Sequence, residues 1–126
     1  MTPALPPEGT SEGRDPAQAA LTSLSRWIDA GNADRDPEAL HLHRVIKVGE
    51  EAGEVVSAVI GWLGANPRKG YTHDRDDVID ELLDVAVTAL GAIEHLTDHR
   101  GDALDRLDRK IIGVGVRAGV VTTAVA

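Results

Sequence analysis

Lys47-Val48-Gly49-Glu50-Glu51-Ala52-Gly53-Glu54 and Asp80-Glu81-Leu82-Leu83-Asp84 are the two stretches whose reading decides the fold. Each places carboxylates inside a long segment that otherwise reads as core-forming helix. Ionised carboxylates in such a setting are unfavourable unless something compensates them. At about 100° per residue, Glu51 and Glu54 project within about 60° of each other on a helix, and Lys47 joins them by the i, i+4, i+7 rule. Glu81 and Asp84 repeat the i, i+3 geometry, with Asp77 one turn earlier. Val48 and Val55 flank the first pair, and Val78 and Val85 flank the second. Both pairs therefore lie at the edge of a core-facing arc. Two such helices packed antiparallel bring four carboxylates together.

Outward from these stretches, the remaining chain also reads as helix. Asp36-Pro37 is a start signal, an N-cap followed by Pro at the first helical position, and the apolar positions Leu40, Val45, Val48, Val55 and Val59 carry that helix to about Leu63. Gly49, Gly53 and Gly61 interrupt it. Each interior Gly costs about 1 kcal/mol relative to Ala, which predicts a packing reason such as close approach of another helix or of a ligand. After a loop over 65–76, the second acidic helix runs from near Asp76-Asp77 to about Leu96. It is apolar on almost every side from Leu82 to Ile93, which predicts burial all round and an oligomer, a homodimer or homotetramer, with this helix at the interface.

Asp15-Pro16 opens an earlier helix with the stripe Leu21, Leu24, Trp27 and Ile28, ended by Gly31-Asn32. A last helix runs from about Asp102 to Val116 on Leu104, Leu107, Ile111 and Ile112. Residues 1–14 and 118–126 read as tails around one domain spanning 15–117. The expected class is all-α: a four-helix bundle-like subunit completed by homo-oligomerisation.

Composition narrows the function. With 126 residues and no Phe, the core must be built from Val, Leu, Ile and Ala, so it is thin and gains from burial between subunits. A net charge of −8 repels a nucleic-acid backbone, leaving small polyanions bridged by a cation as the anionic partners to consider. The absence of Cys excludes thiolate metal sites and disulfides. No secretory segment or membrane span is read from the sequence, so a soluble, cytoplasmic protein is expected. Clustered carboxylates without His or Cys suit Mg²⁺, Mn²⁺ or Ca²⁺, while a di-iron site would want Glu-x-x-His where this chain has Glu81-x-x-Asp84. The rival reading is a non-catalytic helical interaction module, its charges solvated or holding a structural cation.

Glu-Glu-x-x-Glu at 50, 51 and 54, with Glu-x-x-Asp at 81 and 84 and Lys47 three residues before the first Glu, resembles the MazG-like all-α nucleoside triphosphate pyrophosphohydrolases. The resemblance covers roughly residues 37–117. It implies a Mg²⁺-dependent hydrolysis of the α–β phosphoanhydride of a (deoxy)nucleoside triphosphate to monophosphate and pyrophosphate, in a pool-cleaning role. By position it makes Glu51, Glu54, Glu81 and Asp84 metal ligands, and Glu50 the residue that orients or deprotonates the attacking water. Lys110 and Arg117 stand where such proteins carry cations for the pyrophosphate end, although Arg109-Lys110-Ile111-Ile112 departs from the usual Asn-Lys or Lys-rich stretch. Lys47 is a further substrate contact, or else a structural partner of Glu51. Trp62, about two turns after Glu54, offers a stacking surface for a base.

Overall fold

The chain forms four helices and no strand among residues 16–122, which the computed structural model describes. These are α1 (Pro16–Gly31), α2 (Pro37–Leu63), α3 (Arg75–Leu96) and α4 (Ala103–Arg117). Among the described residues, no helix is long and apolar enough to cross a membrane. α3 is the central element. α2 packs along it, α1 packs against it, and α4 joins it through Ala103, Leu104 and Leu107, which meet Leu21, Leu90 and Ile93.

Local chemistry sets most of the ends. Asp36 accepts from Ala39 N at 3.0 Å with Pro37 inside the first turn, as the start signal predicts. α2 stops at Gly64, whose φ of 61° is the left-handed conformation glycine adopts freely, and Ala65 N closes on Ile60 O at 3.1 Å. α3 starts slightly before the expected Asp76-Asp77. Asp74 and Asp77 form a reciprocal capping box at 3.0 and 2.9 Å, so Asp77 is occupied with a helix start. The Asp15 cap and the tail over 1–14 lie outside the described residues, as do 123–126. After α4 the chain turns at Gly119, Val120 N reaches Gly115 O at 3.1 Å, and Val121 sits against Gly115.

α4 starts where the sequence places it, just after Asp102, but its cap is not local. Asp102 makes no side-chain cap and instead accepts from Arg106 Nε at 2.9 Å. The first free N–H groups of α4 are met from a distance: Ala103 N donates to Glu94 Oε1 at 3.2 Å and Leu104 N to Gln18 Oε1 at 2.9 Å. Glu94 is fully buried and also accepts from Gln18 Nε2, Thr22 Oγ1 and Gly101 N at 2.9 to 3.2 Å. Its negative charge faces the positive end of the helix dipole. One carboxylate thus ties α1, α3 and α4 together.

The glycines divide. Cβ atoms at Gly49 and Gly53 would meet nothing within 4 Å, so of the two reasons expected for them the close approach of another helix is not met. At Gly61 a Cβ would run into Thr72 and His73 of the following loop, which crosses the end of α2 and donates Thr72 N to Gly61 O at 3.0 Å. The largely apolar stretch of α3 is not enclosed within the subunit: Leu82, Leu83 and Val87 are each about half exposed, as are Ile111, Ile112 and Val114 on α4.

Candidate functional site

Antiparallel packing of α2 on α3 brings Glu51, Glu81 and Asp84 together, each offering a carboxylate oxygen within 4.8 Å of the others. Glu51 and Glu81 are half-buried and Asp84 is exposed. Desolvation pushes the Glu81 carboxyl up, and the charges of Asp84, Glu54, Glu51 and Asp80 push it further in the same direction. Glu54, the fourth expected ligand, stands outside the three-residue group but is near enough for its charge to act on Glu81.

Glu50, next to Glu51 in the sequence, is exposed, and its Oε2 accepts from Lys47 Nζ at 3.0 Å. Lys47 therefore pairs with Glu50, not with Glu51. The hydrogen bond to Glu50 raises its ammonium pKa first, the Glu50 charge next, and the Glu51 and Glu54 charges add smaller contributions in the same direction.

One turn along both helices, Lys47 and Thr88 line a cavity of about 340 Å³ whose other walls include Leu21, Leu24 and Ile28 of α1 and Val87 of α3. Lys47 precedes Glu51 by four residues and Thr88 follows Asp84 by four, so cavity and acidic group share one seam. The cavity is mainly apolar and near the lower end of the size of small-molecule sites.

The remaining expected contacts lie elsewhere. Trp62 does not line this cavity; the Arg75 guanidinium stands over its ring, 5.8 Å from the centroid. Lys110 and Arg117 are exposed on the second half of α4, and among the described residues no ion pair links either to the acidic group. A second cavity of about 290 Å³ opens beneath the α2–α3 loop beside Ser57, Lys69 and His73.

Sequence reasoning missed a polar cluster at the far end of the same seam. Arg44 is buried: its Nη1 donates to Asp29 Oδ1 at 2.7 Å and Ser25 O at 3.3 Å, and its Nη2 to Ser25 Oγ at 2.9 Å and Gly91 O at 3.0 Å. His95 Nδ1 lies 2.6 Å from Asp29 Oδ2 and its Nε2 lies 2.6 Å from His41 Nδ1. His99 Nε2 sits 2.9 Å from Ser25 Oγ. Burial pushes the Asp29 carboxyl up, but the hydrogen bonds and charges of His95 and Arg44 prevail and hold it below the usual carboxylate range. The available signal was positional: Arg44 lies one turn before Lys47 and two before Glu51, on the face already assigned to the core.

A scan against protein-family models, a search of curated proteins and a search of solved structures each returned no match.

Proposed function

We propose that this chain is a Mg²⁺-dependent nucleotide pyrophosphohydrolase that cleaves the α–β phosphoanhydride of a nucleoside triphosphate, with Mn²⁺ as a substitute metal. The observation that carries this reading is the convergence of Glu51, Glu81 and Asp84 on one seam. The donor set is all hard oxygen, which suits these cations, and the upward push on Glu81 marks a place where added positive charge is favourable. Glu51, Glu81 and Asp84 would hold Mg²⁺ there, and the ion would supply neutralisation of phosphate charge and a more acidic coordinated water.

The chain's own residues supply the rest. Lys47 stands between the acidic group and the cavity, where its ammonium reaches a phosphate once it leaves Glu50. Glu50, thereby released, accepts the proton of the attacking water. The apolar cavity takes the nucleoside, so Trp62, Lys110 and Arg117 carry no part in this reading. The bare faces of α3 and α4 suit covering by a second copy of the chain, giving a homodimer or homotetramer.

Pyrophosphate release from a panel of canonical, deoxy and modified triphosphates, with and without Mg²⁺, tests the proposal. The expected result is metal-dependent release from at least one of them, lost in Glu51→Gln and Glu81→Gln at unchanged helicity. No release from any nucleotide sinks it. The Lys47–Glu50 pair is what a solvated helix face also shows, and it favours a non-catalytic helical module as the second reading. Melting that is indifferent to metal, with unchanged stability in Glu54→Ala, would select that reading.

A further inference from the structure

Arg44 lines the cavity yet is not placed to serve a ligand. Its side chain is 6% exposed, and both Nη groups are engaged with acceptors of the protein on two other helices: Asp29 Oδ1, Ser25 O and Ser25 Oγ on α1, and Gly91 O on α3. Asp29, its charged partner, is held in turn by His95 of α3, which meets His41 of α2. The guanidinium is thus anchored from both neighbouring helices, and a rigid planar fork of this kind tolerates little displacement.

Its place along the seam matters more. Arg44 meets Gly91 across the antiparallel pair. Seven residues forward from Arg44 is Glu51, and seven residues back from Gly91 is Asp84, about two turns in each direction, so one register serves both contacts. Lys47 and Thr88, between them, face the same cavity. The inward apolar residues of the two helices are mostly Val and Ala, with Leu40 on α2 and Leu90 on α3 as buried larger ones. Apolar contact is non-directional, so it sets register less sharply than a fixed polar fork does. A slip of one turn moves α2 by about 5.4 Å, more than the spread of the acidic oxygens. Directional buried polar contacts are the devices that best specify register.

We propose that Arg44 is a positioning residue that fixes the register of α2 on α3 and thereby assembles both the acidic group and the cavity wall. In its functional consequence this rests on the reading of that group as the cation and substrate site.

The chain contains no Cys, so engineered pairs report register directly. Lys47→Cys with Thr88→Cys samples the observed register, and Lys47→Cys with Asp84→Cys samples a slip of one turn. Oxidative cross-linking of the purified full chain is expected to favour the first pair strongly. Adding Arg44→Met should lower that preference by about tenfold, the equivalent of one hydrogen bond to a charged group, with helicity retained and Arg44→Lys restoring part of it. In the chain without engineered Cys, Arg44→Met should weaken Mg²⁺ binding by a similar factor.

Unchanged cross-linking preference in a folded Arg44→Met overturns the proposal. If that variant does not fold, Asp29→Asn decides in its place: a reduced preference supports the proposal and an unchanged one overturns it. Cross-linking needs neither metal nor nucleotide. A wild-type chain that binds no Mg²⁺ therefore removes the functional reading while the register claim is still decided by the cross-link ratio.

Discussion

Glu94 and Glu81 sit on the same face-rich helix, and their surroundings could hardly differ more. Near the C-terminal end of α3, Glu94 is fully buried and accepts hydrogen bonds from Gln18, Thr22, Gly101 and Ala103. Nearer the N-terminal end, Glu81 is half-buried, and desolvation first and then the charges of Asp84, Glu54, Glu51 and Asp80 raise its pKa. The first carboxylate has its compensation built into the chain. The second is set among like charges, which the fold tolerates only because solvent, a proton or a bound cation relieves them. A buried charge with a full complement of donors is a scaffold feature, whereas a partly desolvated carboxylate set among like charges is one to examine for function.

The sharpest way to break this comparison is to remove Glu94. Glu94→Ala leaves donors on α1 and at the start of α4 without their acceptor, each at about 1–3 kcal/mol, so a loss of at least about 3 kcal/mol is expected by urea unfolding. Glu94→Gln keeps the shape and part of the acceptor capacity and should lose less. A Glu94→Ala chain within 1 kcal/mol of wild type would show that this carboxylate is no scaffold, and the contrast with Glu81 would collapse.

Glu81 gives the second test, of opposite sign. Its carboxyl titrates higher in the folded chain than in the unfolded one, so the folded chain holds the extra proton just above the usual carboxylate range. Stability is therefore lost as pH rises through the elevated Glu81 value. Glu81→Gln should be at least as stable as wild type at neutral pH, with the advantage fading below the usual carboxylate range. Mg²⁺ should stabilise the wild type at neutral pH by about 2.7 kcal/mol at a hundred times its Kd, and the proton should displace that gain as pH falls through the same window. Thermal melting with and without Mg²⁺ across pH measures both. A Mg²⁺ response that survives in Glu81→Gln would place the cation elsewhere.

How much of this was legible beforehand follows from the range of the interactions. Helix starts set by adjacent residues, as at Asp36-Pro37, were readable because the cap and the N–H it serves are three residues apart. The start of α4 was placed at about Asp102, but its acceptors, Glu94 and Gln18, were not readable, the latter lying 86 residues away in the sequence. The acidic pairs were visible from helical spacing, and antiparallel packing unites Glu51, Glu81 and Asp84 while leaving Glu54 outside the group. Arg44 and Asp29 were invisible as a pair because nothing in a single helix reveals which charge will be buried against another. Lys47 was ambiguous for a related reason: i+3 and i+4 partners are both within reach, and the structure selects Glu50 over Glu51.

Trp62 supplies the mildest test and a third manner of handling charge, on the surface and without burial. Arg75 begins α3 and lays its guanidinium over the Trp62 ring near the end of α2, 5.8 Å from the centroid, with Trp62 as a residue still 39% exposed. An exposed cation–π contact contributes about 0.5–1 kcal/mol, so Arg75→Ala should lower stability by no more than that and shift the Trp62 fluorescence. Turnover is expected to stay unchanged, because neither residue lines the cavity beside the acidic group. The informative case is Trp62→Ala assayed at varied nucleotide concentration. An unchanged KM leaves Trp62 with Arg75 as a clasp between helix ends, whereas a raised KM at unchanged kcat makes the ring the base platform and moves the nucleoside out of the apolar cavity to the opposite side of the acidic group.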